Sequence, residues 1–143
     1  MKIKGKNTNG FDVYLLDIEE CKELLREAQK AMKFTYPEKN KGFAVALLTK
    51  NGKIYYGASY VSDTHNLTMH SEAVALAKSA NDGETEIIAI TGPNCHNCKQ
   101  LIWESSIRSK IDTVVIIEEN NEIKQIPISE LMPYPWPDHL GNH

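Results

Sequence analysis

The chain has 143 residues, 41% of them apolar and 24% charged, with a formal net charge of −3. That length predicts one domain, residues 1–143, with a core of its own, and the composition is globular rather than disordered. No basic stripe offers counter-charge to a nucleic-acid backbone and no apolar stretch approaches membrane length.

The opening Met1-Lys2-Ile3-Lys4-Gly5 lacks the apolar core of a secretion signal. There are three cysteines, an odd number. Two of them, Cys95 and Cys98, form a Cys-x-x-Cys pair, which predicts reduced cytoplasmic thiols rather than a disulfide framework.

Residues 5–10 are polar and turn-like, and Phe11–Tyr14 reads as a short extended piece or an arm. Asp17 with Glu20 three residues later forms a capping box. Ile18, Cys21, Leu24, Leu25, Ala28 and Met32 then recur at helical spacing, which predicts an amphipathic helix ending near Phe34, before Pro37. Residues 35–42 are a loop. Phe43–Leu48 and Ile54–Ser59 flank Asn51-Gly52, a strong hairpin signal.

After an irregular stretch, Tyr60–Asn66, a helix is expected from about Thr68 to Asp82-Gly83. Its expected buried face is Ala73, Val74, Leu76, Ala77 and Ala80. Ile87–Thr91 is a buried strand, broken by Gly92-Pro93-Asn94. A helix starting at Asn94 or just after it should run to about Ser106. Thr113–Glu118 and Ile123–Ile128 are separated by too few residues for a parallel crossover and should pair antiparallel. Ser129–Met132 is a short helix, and Pro133–His143 is a tail rich in proline and aromatic residues. The order helix, hairpin, helix, strand, helix, hairpin predicts an α/β fold: a mixed five-stranded sheet with helices on both faces.

Two stretches carry chemistry. Met69-His70-Ser71-Glu72-Ala73 offers one histidine and a carboxylate two residues on, and Pro93-Asn94-Cys95-His96-Asn97-Cys98-Lys99 offers two thiols. His70, Cys95 and Cys98 are three ligands suited to Zn²⁺, which leaves a fourth tetrahedral position for water, the mark of a catalytic site. His-x-Glu followed by Cys-x-x-Cys is the pattern of zinc-dependent nucleobase deaminases. Both halves fall at helix starts, where dipole and cation together should lower the thiol pKa values. Zinc brings the pKa of a bound water near neutrality and so supplies hydroxide as nucleophile. Glu72 then serves as proton shuttle to the ring nitrogen and the departing amine.

Duller readings exist for each piece. His-x-Glu alone means nothing. Cys-x-x-Cys alone is a structural zinc half-site or a redox pair, yet the redox motif belongs after the first strand of a βαβ unit and here it follows the third strand. A structural zinc needs a fourth ligand, and His65 and His96 lie at no usual zinc-finger spacing; both read as exposed or pocket-lining. Cys21 falls on the apolar face of the first helix, and Trp103 reads as core or interface. His139 and His143 have no identifiable partner.

At these residues the sequence resembles the cytidine deaminase family. Leu47–Ala58 looks like its first hairpin, His70-Ser71-Glu72 like its (Cys or His)-Ala-Glu motif, and Cys95–Leu101 like its Cys-x-x-Cys-Arg-Gln-Val stretch. Ser129–Pro133 and Asp138–Leu140 look like the end of the family domain. The resemblance implies a three-layer α/β/α sandwich, zinc on His70, Cys95 and Cys98, Glu72 as proton shuttle, a small-molecule substrate, and a compact homotetramer (or dimer). Lys99 takes the place of the family's arginine beside the thiolates, a cation without the fork of donors.

The departures concern substrate. The family's ribose-holding Asn-x-Glu is replaced by Ser59-Tyr60-Val61, and its phenylalanine before the first strand falls near Lys41. Its Pro-Cys is Pro-Asn-Cys here, which brings Asn94, with Ser71, into the expected substrate contacts. A lost charged ribose partner is worth about 1.5–3 kcal/mol. Blasticidin-S deaminase, a relative, also lacks the ribose glutamate and has C-terminal aromatic residues, loosely like Tyr134 and Trp136. The expected activity is therefore hydrolytic deamination of a cytosine-like nucleoside, base or other aminated heterocycle. Ordinary cytidine or deoxycytidine deamination and a catalytically silent, zinc-stabilised oligomeric binding protein are the alternatives.

Overall fold

The computed structural model describes residues 2–142. Two strands, β1 (Lys2–Lys6) and β2 (Asp12–Leu15), pair antiparallel as a separate ribbon. Helix α1 (Ile18–Ala31) follows and tightens into a 3₁₀ turn at Met32–Phe34. The rest of the chain supplies β3 (Ala44–Thr49), β4 (Ile54–Ala58), α2 (Ser71–Asn81), β5 (Ile87–Thr91), α3 (His96–Ser109), β6 (Val114–Glu119) and β7 (Glu122–Pro127). A last 3₁₀ turn spans Ile128–Leu131. The five-stranded sheet has the order β4-β3-β5-β6-β7, and of its pairs only β5–β6 is parallel. A parallel pair requires a long crossover, and α3 is that crossover.

Alternation along the strands divides the core in two. Ala46 and Leu48 of β3, with Val114 and Ile116 of β6, face α1 through Cys21, Leu24 and Ala28. Val45 and Leu47, with Val115, face Ala75 of α2 and Ile102, Trp103 and Ile107 of α3. The expected layers are therefore present, with one helix on the first face and two on the second. The capping box is formed: Glu20 N donates to Asp17 Oδ1 at 2.8 Å and Asp17 N donates to Glu20 Oε1 at 3.0 Å. Cys21 is wholly buried, and burial pushes its thiol up to about 11, with help from the nearby charges of Glu20 and Asp17.

The structure corrects three expectations. The N-terminal residues form a full hairpin ribbon rather than one extended piece. Helix α2 starts at Ser71, about three residues later than expected. Tyr60 and Met69 exchange two backbone hydrogen bonds, 3.0 and 2.9 Å, which hold the chain extended up to His70. The buried face of α2 is Ser71, Glu72, Ala75 and Ser79, whereas Ala77 and Ala80 are exposed.

Small side chains on that face let α2 lie close against β4. At Gly57 a Cβ would collide with Ser71 O, and would sit 2.6 Å from Ala75 N and 3.0 Å from Ala75 Cβ. Packing distance, rather than apolarity, selects the side that faces the sheet. Of the two tail histidines with no identifiable partner, His143 lies outside the described residues. No helix among the described residues is long and apolar enough to cross a membrane.

Candidate active site

The site forms where two helices begin at the same edge of the sheet. His70 is the N-cap residue of α2 and Cys95 that of α3, both in extended backbone. Because α3 springs from the end of β5 and α2 packs on β4, with β3 between the two strands, residues 25 apart in sequence meet. Cys95 Sγ lies 3.5 Å and Cys98 Sγ 3.2 Å from His70 Nδ1, and the three ligand atoms lie within 4.8 Å of one another. Bonds of about 2.1 Å to nitrogen and about 2.3 Å to sulfur around a tetrahedral centre put such atoms roughly 3.5 Å apart. The nitrogen-plus-two-sulfur donor set and its spacing both fit zinc.

The protein's own groups oppose ionisation of one ligand. Burial pushes the Cys98 thiol above its ordinary value, and the Cys95 thiol and Glu72 carboxylate beside it push the same way. A divalent cation held by these atoms works in the opposite direction.

Glu72 sits in the first turn of α2 and is 6% exposed. A carboxylate that is buried needs both oxygens satisfied, and both are. Ser71 Oγ donates to Oε1 at 2.9 Å and Asn94 Nδ2 donates to Oε2 at 2.7 Å. Asn94 Nδ2 also donates to Thr91 O at 3.2 Å. Its Oδ1 is buried with no hydrogen-bond partner among the described residues, an arrangement that costs about 1–3 kcal/mol.

Profile comparison decides the family: residues 18–118 match the cytidine and deoxycytidylate deaminase zinc-binding region. The chain belongs to this deaminase family. Its members are zinc-dependent hydrolytic deaminases, so the chain is an enzyme of that class with zinc as its cofactor. A cytidine deaminase of Halalkalibacterium halodurans is 30% identical over 120 residues, covering 77% of this chain and 89% of that protein. Among solved structures, the fold is similar to that of a cytidine deaminase from Burkholderia pseudomallei. The TM-score is 0.68 at 22% identity, over 80% of this chain and 98% of that one. A cytidine deaminase from Mycobacterium tuberculosis gives 0.66 at 18% identity, over 85% of this chain and 98% of that one.

A cavity of about 490 Å³ opens over this deaminase site. His70, Ser71, Glu72, Gly92, Pro93 and Cys95 form its floor, and Phe43, Val45, Ser59, Val61, His65 and Thr68 are among the residues of its walls. Among the described residues no lysine, arginine or aspartate lines it. Ser59, Val61 and Ser71 thus reach the cavity, although Ser59 Oγ also accepts from Phe43 N at 3.1 Å. Asn94 is not a lining residue; it reaches Glu72 from behind. The Lys99 ammonium makes no hydrogen bond or ion pair among the described residues, so nothing ties it to the thiols.

Phe43 is a lining residue that reasoning from sequence missed. It sits two residues beyond Lys41, where counting placed the family's phenylalanine, and it is 77% exposed. An aromatic residue opening an otherwise aliphatic strand was the available signal.

Proposed function

We propose that this deaminase hydrolyses an uncharged, cytosine-like aminated heterocycle to its oxo form with release of ammonia. His70, Cys95 and Cys98 would hold the zinc, and Glu72 would carry the proton. Zinc supplies, when bound, the Lewis acidity that makes a water nucleophilic at neutral pH. Glu72 would accept the proton of the attacking water, hand it to the ring nitrogen, and serve again as the amine departs. The cavity walls hold the ring. The observation that carries this reading is one buried, doubly hydrogen-bonded carboxylate on the floor of a cavity that it shares with His70 and Cys95.

The walls argue for the substrate. Without a lysine or arginine they offer a phosphate no counter-charge, and with Ser59 and Val61 they offer ribose hydroxyls no carboxylate. Cytidine itself is the second reading, supported by the name of the relative at 30% identity. Exposed Phe43, which lines the cavity, and exposed Leu67 and Met69, which flank the lining residue Thr68 in sequence, support assembly into a homotetramer or dimer that covers them, with no part for nucleic acid or membrane. Three free cysteines suit a reducing cytoplasm.

The test is ammonia release by zinc-loaded protein from cytosine, cytidine, deoxycytidine, their monophosphates, blasticidin S and guanine, with Glu72→Ala beside it. Turnover of an uncharged compound is expected, with the monophosphates inert and Glu72→Ala slower by about 10³-fold or more at unchanged zinc content. Equal rates with Glu72→Ala would refute the role of Glu72. Turnover of monophosphates alone would refute the substrate class.

A further inference from the structure

Resting on that reading, we propose that Asn94 is a positioning residue that reserves Glu72 Oε2 as a permanent acceptor and makes Oε1 the oxygen that carries the proton. The two oxygens have different neighbours. Oε2 faces Asn94 Nδ2 at 2.7 Å, and Asn94 is 8% exposed and lines no part of the cavity. Oε1 faces the Ser71 hydroxyl at 2.9 Å, and Ser71 and Glu72 both line the cavity.

The donors also differ in chemistry. An amide NH₂ can only donate. Both Asn94 hydrogens are committed, one to Glu72 Oε2 and one to Thr91 O at 3.2 Å. The amide cannot turn over to accept a proton from Oε2 without losing both bonds. A serine hydroxyl both donates and accepts and rotates freely. When Oε1 gains a proton from the attacking water, the Ser71 O–H can swing away or accept, so no buried donor faces a donor. When Oε1 gives that proton to the substrate nitrogen, the Ser71 bond forms again. The carboxylate is restored, and no proton is gained or lost over the cycle.

The strain of the arrangement points the same way. Asn94 keeps its amide in this orientation although its Oδ1 finds no donor among the described residues. Gly92 makes room for it, since a Cβ there would lie 2.9 Å from Asn94 Oδ1 and 2.6 Å from Val115 Cγ1. Buried polar groups left unpaired mark places where a local rule yields to function. Asn94 lies between the end of β5 and the first thiol, so one short loop sets both where the thiol-bearing helix begins and the angle of the acid–base group.

The experiment uses the zinc-loaded full chain and the variants Asn94→Ala, Asn94→Leu and Glu72→Gln. Leucine fills nearly the same space as asparagine without a donor, which keeps the test open should alanine not fold. Infrared difference spectra of wild type against Glu72→Gln identify the Glu72 carboxylate bands without any substrate. Those bands are expected to shift in Asn94→Leu. With the fastest compound of the panel, kcat is expected to fall about 10- to 100-fold, with KM within about threefold and zinc content unchanged.

Unshifted bands, or shifted bands with wild-type kcat, would overturn the role given to Asn94 while leaving the deaminase reading intact. Loss of zinc in both variants would overturn it as well, assigning Asn94 to the metal loop instead. Full turnover by Glu72→Gln would instead sink the reading of Glu72 on which the inference stands, and the infrared result would still decide whether Asn94 holds the carboxylate.

Discussion

Gly57→Ala is expected to damage the site from the far side of α2. The added Cβ would collide with Ser71 O and stand 2.6 Å from Ala75 N, both backbone atoms that cannot rotate away. Relieving the second contact alone, to an ordinary 3.4 Å, moves the start of α2 outward by about 0.8 Å. The closer contact, with Ser71 O, falls between His70 and Glu72, so the displacement reaches the site, and misplacement by about 1 Å costs reactions roughly 100-fold. Overpacking against backbone belongs at the upper end of its usual range, about 3 kcal/mol, which lowers Tm by about 10 °C in a domain of this size.

Gly83→Ala is the control. Its φ is +81° and nothing lies within 4 Å of the new Cβ, so it pays only the left-handed backbone penalty of about 1–2 kcal/mol. Melting curves, zinc content and turnover of the two variants are measured together. Gly57→Ala should lose zinc or turnover out of proportion to its melting shift, and Gly83→Ala should lose neither. Gly57→Ala protein with wild-type zinc content and kcat would refute the claim that close approach of α2 to β4 sets the site.

Cys98→Ser should weaken zinc at least about 100-fold in a competition titration with a chromogenic chelator, since a soft thiolate is replaced by a poor ligand; a change below tenfold would remove Cys98 from the ligand set. Glu84 accepts from Thr49 Oγ1 at 2.8 Å and Asn51 Nδ2 at 2.9 Å, and these bonds, Asn51 first, hold its carboxyl below the usual 4.5. Its contribution is therefore complete above that ordinary value and is lost as pH falls through the lower folded one. The gap in Tm between wild type and Glu84→Gln should be full at pH 7 and narrow as pH falls below the usual 4.5, and a constant gap would contradict this. Trp103→Phe removes the bond from Nε1 to Pro137 O, 2.7 Å, and should cost about 1–2 kcal/mol while speeding limited proteolysis within residues 133–142. Unchanged cleavage would mean that Trp103 does not hold the tail.

What the sequence discloses here follows the range of the forces involved. The capping box at Asp17 and Glu20, the Asn51-Gly52 turn and the alternation along β3 and β6 are local signals, and they locate elements within a residue or two. The approach of His70 to the two thiols is long-range, yet it was legible because ligand chemistry restricts which residue types can meet. The buried face of α2 was not legible. Apolarity pointed to Ala77 and Ala80, whereas the close contact with Gly57 selects Ser71, Ala75 and Ser79. The ribbon of β1 was hidden because its side chains are all exposed, so no burial pattern marked it. Asn94 was expected against the substrate, but its amide is turned toward Glu72, a detail set by the path of the loop after β5.

The two-faced sheet has a consequence for mutational tolerance. Side chains of β3 that differ by one position answer to different demands: Leu48 faces only α1 and the N-terminal segment, whereas Val45 is at once core and cavity wall. Conservative replacements under α1 should reduce how much folded protein accumulates while each surviving molecule works at its usual rate. Replacements of similar size under α2 and α3 should alter the rate per molecule first. A deep mutational scan scored separately for abundance and for turnover would then separate residues along a single strand in strict alternation.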